Sequence, residues 1–230
     1  MNNNKRLIAA AETGQLSEVQ RLLGVVDDTD TCNEAFVRAG KHGQLDCLKE
    51  LRAHNICLES LNAVVGWAAL HGHTECLEYA MNRDQHSNGR HIQTPTKRLP
   101  LELAAQYRNV ECVKLLIGVS SGEAGSAALI AAAKSGCVKS VELLLQGNFE
   151  FMGVNLALYF AALNTNCDCV DALYPLANVQ QTLEQLNTTQ ARYKNSWRFL
   201  EERYCAEQQN IVLNTAVETS QPTVMRVSKL

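Results

Sequence analysis

Ala68-Ala69-Leu70-His71-Gly72 is one of six copies of a five-residue phrase that decides the fold of this chain. Each copy begins with two small residues and continues with two variable ones; the fifth residue is a glycine in four copies. The copies lie at 10–14, 39–43, 68–72, 104–108, 132–136 and 161–165. Successive copies are 29, 29, 36, 28 and 29 residues apart. Such a period predicts a solenoid, in which one supersecondary unit is stacked on the next.

The residues around each phrase predict a pair of antiparallel helices. The two small side chains let neighbouring helices approach closely, and the glycine suits the left-handed turn between two helices. In the first unit Val19, Leu22 and Leu23 then follow at helical spacing, so that an apolar face meets the next unit. Because one helix pair cannot bury both of its apolar faces, the units must stack. The expected fold is therefore all-α, a solenoid of about six helix pairs.

The fourth unit resembles the ankyrin-repeat family. It reads PLELAA at 100–105 and VECVKLLI at 110–117, which is similar to the family's PLHLAA…EVVKLLL pattern. The resemblance covers about residues 5–175. The family's usual period is about 33 residues, and the shortfall here lies between units. The resemblance therefore implies short turns in place of the family's projecting β-hairpin fingers.

A different apolar period follows the last repeat. Its members are Val179, Leu183, Leu186, Tyr193, Trp197, Leu200 and Tyr204. Alternating steps of four and three predict one long helix that ends near residue 207. We expect three parts: the solenoid (1–175), a capping helix (176–210), and a short helical turn with a flexible tail (211–230). A homodimer formed through the long helix is the alternative to a capped monomer.

Composition excludes several classes of function. A net charge of −3 is too small to favour nucleic acid or a membrane surface as the partner, and no apolar run is long enough for a membrane span. Nine cysteines without a secretory signal indicate free thiols in a reducing compartment. The expected location is therefore the cytoplasm.

No catalytic, cofactor-binding or metal-binding residues can be assigned. Four cysteines share one repeat position, which is typical of half-buried packing residues; they are Cys47, Cys76, Cys112 and Cys169. Cys167 and Cys169 form a C-x-C without a second pair, and His71 and His73 belong to the repeat turn. No nucleophile has a base at a recognisable spacing. We expect neither an enzyme nor a metalloprotein.

The resemblance also implies a binding surface. In ankyrin stacks the first helices and the turns line a concave groove, and the two variable residues of each phrase face it. The expected partner contacts among them are Lys41, His42, Leu70, His71, Gln106, Tyr107, Lys134 and Leu163. The alternative for the apolar ones, Leu70, Tyr107 and Leu163, is that the shortened turns rotate them into the core.

The 36-residue interval predicts a loop at 82–98. Its turn-forming residues and its Arg and Lys side chains suit either a tolerated surface insertion or a second contact with the partner. In the second interpretation Arg83 and Arg90 contact the partner.

The expected function is a non-catalytic scaffold that binds another protein. The Asn-rich, degenerate repeats look similar to those of secreted bacterial ankyrin effectors, which would place the chain in a host cytoplasm, bound to a host protein. An alternative rests on the ending Ser228-Lys229-Leu230, which matches a peroxisomal address. The chain would then be a peroxisome-targeted adaptor or cargo.

Overall fold

The computed structural model describes residues 2–54, 56–82, 99–147, 153–189 and 198–220, which form helices and turns without a strand. The odd-numbered helices up to α13 form one set, which we call the first helices. They are α1 (Asn3–Thr13), α3 (Thr29–Lys41), α5 (Leu58–His71), α7 (Pro100–Gln106), α9 (Gly122–Ser135), α11 (Val154–Leu163) and α13 (Val179–Thr189). Six second helices separate them: α2 (Leu16–Leu23), α4 (Leu45–Leu51), α6 (Thr74–Asn82), α8 (Val110–Ile117), α10 (Val138–Gln146) and α12 (Cys167–Leu173). A 3₁₀ turn (Tyr174–Leu176) precedes α13, and α14 (Arg198–Ser220) follows it.

The helices stack in two rows. Each first helix packs beside the first helix of the next unit, from α1 through α13, and the second helices form a parallel row from α2 through α12. The two helices of each unit also contact one another. The predicted all-α solenoid of six helix pairs is confirmed.

The small pair sets the spacing of the first-helix row. It is buried in all six units, and larger side chains such as Leu7, Phe36 and Leu48 are fully buried in the same core. At Gly40 a Cβ atom would lie 2.6 Å from Cγ1 of Val64, so the close approach of α3 to α5 leaves no room for a side chain at this position. The alanines and glycine of the phrase are thus packing residues.

The fifth residue of every phrase adopts a left-handed conformation. Gly14, Gly43, Gly72 and Gly136 have φ between 72° and 78°, as the turn prediction required. The other two units place Arg108 and Thr165 there, with φ of 64° and 58°. A side chain in this conformation costs about 1–2 kcal/mol. These two units therefore carry backbone strain that the four glycine units avoid.

In three units the next residue, His73, Asn109 or Asn166, ties the unit to the one before it. Nδ2 of Asn109 donates hydrogen bonds to the carbonyl oxygens of Ala69 and Leu70, at 2.8 and 2.9 Å. Asn166 bonds to the end of α9 at 2.8 Å, and Nε2 of His73 bonds to the end of α3 at 3.0 Å. The last carbonyl groups of a helix lack partners within the helix. Here a side chain of the following unit provides the hydrogen-bond donor for these carbonyl groups.

The four cysteines at the shared repeat position are more deeply buried than expected. All four are at most 1% exposed, so they are core residues and not half-buried ones. Burial raises the pKa of Cys76 and of Cys169 to about 11. A thiol held in its neutral form is a packing group and a poor nucleophile.

The C-terminal region differs from the prediction of one long helix. The structure has two helices, α13 and α14, which contact each other, so they cannot be parts of one straight helix. α13 packs beside α11 and extends the first-helix row, and the fully buried Leu200 of α14 joins the same core. The guanidinium of Arg203 lies 4.3 Å from the ring centroid of Tyr174 and pairs with Asp171.

The physical reason is burial. At a rise of about 1.5 Å per residue, a straight continuation of α13 would carry Leu200 away from the solenoid. Packing α14 against α13 keeps it in the core. The predicted end near residue 207 is also wrong, because α14 continues to Ser220. Tyr193 and Trp197 of the predicted stripe lie outside the described residues.

Candidate functional site

The variable residues of the phrases lie along the first-helix row, at the C-terminal end of each first helix. They are the last residues of their helices or follow them directly, so stacking aligns them from unit to unit. We call the solvent-facing side of this row the first-helix face. His42, His71, Tyr107 and Lys134 are exposed, whereas Lys41, Leu70, Gln106 and Leu163 are half-buried.

One cluster on this face joins α3 to α5. Nζ of Lys41 lies 4.6 Å from the ring centroid of Trp67, and Trp67 stacks on His71 with centroids 5.8 Å apart. The ring of His73 lies 6.0 Å from that of His71. Burial, and then the electrostatic effect of the neighbouring His73 and Lys41, lower the pKa of His71. Its imidazole is therefore neutral near neutral pH, while Lys41 carries the charge.

The first two units carry ion pairs at the equivalent place. A carboxylate oxygen of Glu12 lies 3.3 Å from Nε2 of His42 and another lies 3.6 Å from the guanidinium of Arg38. Arg38 is also 3.3 Å from Glu34. Since these groups are substantially exposed, the pairs contribute little to stability. The guanidinium of Arg38 lies between the two carboxylates and offsets part of their charge.

A cleft of about 340 Å³ opens between α7, α9 and α11. Its apolar lining comes from Ala127, Ile130, Ala131 and Phe160, and its polar lining from Glu102, Gln106, Lys134 and Ser135. Nζ of Lys134 lies 5.5 Å from the ring centroid of Phe160. Two residues predicted from the sequence, Gln106 and Lys134, thus lie in one apolar cleft, which we call the α7–α11 cleft.

One register produces three of the side-chain contacts between neighbouring units. The first variable residue of a unit meets the residue that precedes the small pair of the next unit, 26 positions later. The pairs are Glu12 with Arg38, Lys41 with Trp67, and Lys134 with Phe160. The second member of each pair was not predicted from the sequence. The available signal was the chemical type at this repeat position, where charged or aromatic residues replace the alanine or leucine of the other units.

The three apolar variable residues have different environments. Tyr107 is 55% exposed, and Leu70 is half-buried. Leu163 is also half-buried and packs with part of its side chain against the core. Arg83, Arg90 and the predicted loop that carries them lie outside the described residues, as do Ser228, Lys229 and Leu230.

Two kinds of feature are absent from the described part of the chain. Among its side chains, no group of three or more His, Cys, Asp or Glu residues could hold a metal ion. None of its helices is both long enough and apolar enough to cross a membrane.

Comparison with known proteins assigns the family. A family model described as ankyrin repeats (3 copies) matches residues 36–124, 65–151 and 101–183, which together span more than half of the chain. The chain belongs to the ankyrin-repeat family. Ankyrin repeats generally serve as protein–protein interaction scaffolds, and their fold is typically a non-enzymatic interaction domain.

A solved structure shows the same fold. The human ASB11 ankyrin repeat domain is 20% identical to this ankyrin-repeat protein and superposes with a TM-score of 0.53. The match covers 72% of this chain and 96% of the ASB11 chain. At this identity the likeness concerns the fold alone. A search of curated protein sequences finds no match.

Proposed function

We propose that this ankyrin-repeat protein is a non-catalytic scaffold that binds a partner protein through its first-helix face. The observation that carries the proposal is the distribution of exposed large apolar side chains. In the described residues none of them lies on a second helix. They lie on first helices, in turns and in the C-terminal region: Val25, Leu58, Tyr107, Val119, Leu156, Leu176 and Ile211.

The first-helix face has the chemistry of a protein interface. Interface hot spots are enriched in aromatic side chains with polar groups around them. Tyr107 and the half-buried Trp67 and Phe160 supply the aromatic groups, and the α7–α11 cleft adds an apolar floor. A partner that covers these groups removes apolar surface from water, which favours binding by about 25 cal/mol per Å² before the costs of association.

The turns between units extend this surface. Val25 and Val119 occupy equivalent places after α2 and α8 and are 64% and 45% exposed. These turns stand where the family carries its longer fingers. We include them in the proposed contact surface together with Arg83 and Arg90 of the segment that joins α6 to α7.

Site-specific photo-cross-linking tests the proposal. A benzoylphenylalanine side chain replaces Tyr107 on the first-helix face or, as the matched control, the exposed Glu142 on α10. We expect irradiation in cells to give a discrete adduct with one partner protein at position 107 and none at position 142. In the unlabelled protein, Tyr107→Ala should weaken co-purification of that partner while Glu142→Ala leaves it unchanged.

The control position decides the outcome. An adduct formed equally at both positions, or only at position 142, would show that the first-helix face is not the binding surface. Circular dichroism and the thermal midpoint of each variant verify that the fold is retained.

A further inference from the structure

Two lysines of the first-helix face lie over aromatic rings and form no ion pair with a described carboxylate. Lys41 is held on Trp67 and Lys134 on Phe160, at 4.6 and 5.5 Å from the ring centroids. Among the described side chains no ion pair joins either ammonium group to a carboxylate, whereas Arg38 on the same face pairs with two. A ring face positions a cation without neutralising it. Both charges remain available to an anionic ligand.

The two lysines occupy the same repeat position, three units apart. With neighbouring helices about 10 Å apart, the ammonium groups are separated by about 30 Å. This distance corresponds to about 20 residues of helix or about nine residues of extended chain. One continuous peptide segment can therefore reach both lysines and pass the α7–α11 cleft on the way.

The acidic groups near these lysines have contacts of their own. Glu12 lies 3.6 Å from the guanidinium of Arg38, and the pKa of His71 is lowered, so its ring is neutral near neutral pH. Glu102 at the rim of the cleft has an interaction partner of its own. Lys41 and Lys134 are thus cationic groups outside the ion pairs of the described side chains, and both lie beside apolar surface.

We infer that the partner presents a segment in which carboxylates alternate with apolar side chains. The carboxylates pair with Lys41 and Lys134, and the apolar side chains enter the α7–α11 cleft and cover Trp67. Nucleic acid is the less suitable anionic ligand, because it offers no aliphatic side chains for the α7–α11 cleft. This inference rests on the proposed function and specifies its ligand.

Selection from a random peptide library tests the inference and does not require the partner protein itself. The immobilised full chain is panned against phage-displayed random peptides of about 24 residues, long enough to span both lysines as a helix. We expect the enriched peptides to combine Asp or Glu with aromatic or aliphatic residues. The strongest binder is then synthesised, and its Kd is measured by fluorescence anisotropy.

Charge reversal locates the bound peptide. Lys41→Glu and Lys134→Glu should each raise the Kd about three- to tenfold, as loss of an ion pair and gain of a repulsion require. The matched control is Lys114→Glu on α8 in the second-helix row, where Lys114 is exposed and pairs with Glu111 at 3.0 Å. Its Kd should not change. Exchanging the matching Glu of the peptide for Lys should restore binding to Lys134→Glu.

Every other result contradicts the inference and shows whether the proposed function fails with it. Peptides without acidic bias that lose affinity on Trp67→Ala or Phe160→Ala would leave the proposed function intact and refute the acidic segment. Peptides sensitive only to Lys114→Glu would refute both. Displacement by a single-stranded oligonucleotide would indicate a general polyanion site, and failure to enrich any peptide would contradict the inference directly. If a Glu variant unfolds, Lys41→Met and Lys134→Met remove the charge and retain the apolar stem.

Discussion

Phe36→Ala is expected to lower the free energy of unfolding by about 3–5 kcal/mol. Phe36 lies in α3, is 0% exposed and belongs to the core that joins the first units. Removing the ring forfeits its burial and leaves a cavity that the stacked helices can only partly fill. A domain of this kind has only about 5–15 kcal/mol of stability in total. Urea unfolding followed by circular dichroism measures the loss.

Tyr107→Ala is the matched control for this prediction. It also deletes an aromatic ring, but Tyr107 is 55% exposed at the end of α7. Surface substitutions of this kind usually change stability by about 0.5 kcal/mol or less. Equal losses from the two substitutions would contradict the assignment of Phe36 to the core and of Tyr107 to a binding surface.

Gly72→Ala is expected to cost about 2–4 kcal/mol. Its φ of +78° penalises any side chain by about 1–2 kcal/mol. The new Cβ atom would also lie 2.8 Å from Oδ1 of Asn109, the residue that bonds to the carbonyl groups at the end of α5. Leaving buried polar groups unpaired adds a cost of about 1–3 kcal/mol. Thermal and urea unfolding of the variant test this sum.

Two further substitutions separate backbone strain from a general effect of glycine. Gly118 follows α8 with a negative φ and open space around it, so Gly118→Ala should be neutral or stabilise by about 0.5 kcal/mol. Thr165→Gly should stabilise by about 0.5–1 kcal/mol, because it relieves the left-handed strain at φ 58°. Destabilisation by Thr165→Gly would refute the role assigned to this position.

The repeat phrase was sufficient to predict the solenoid because its residues are constrained by backbone geometry. Close helix contact admits only small side chains at positions such as Gly40, and the left-handed turn favours glycine at positions such as Gly72. Such constraints recur in each unit and are visible as a period. The same argument predicted that the cysteines at the shared repeat position are packing residues, but it did not predict that they are fully buried.

The C-terminal helices could not be predicted in the same way. The stripe that includes Val179, Leu183 and Leu200 is compatible with one helix or with two helices that pack on a common core. The periodicity of the stripe describes which residues face inward and not where one helix ends and the next begins. Only contacts between distant residues, such as Arg203 with Tyr174, distinguish the two arrangements.

The candidate site was predicted in part. Lys41 and Lys134 came from the variable positions, but their aromatic supports, Trp67 and Phe160, precede the small pair and belong to the next unit. A period of 28 or 29 residues aligns positions within units and does not show that a contact crosses from one unit to the next. The 26-residue register became apparent from the stacked helices.

Lysine footprinting tests the central claim most directly, because the chain carries lysines on both rows. The protein alone and its complex with the cross-linked partner are treated briefly with an amine-reactive ester, and modification of each lysine is quantified by mass spectrometry. The account predicts that the partner protects Lys41 and Lys134 and leaves Lys49, Lys114 and Lys139 of the second helices as reactive as before. Protection of the second-helix lysines with unchanged reactivity at Lys41 and Lys134 would contradict it.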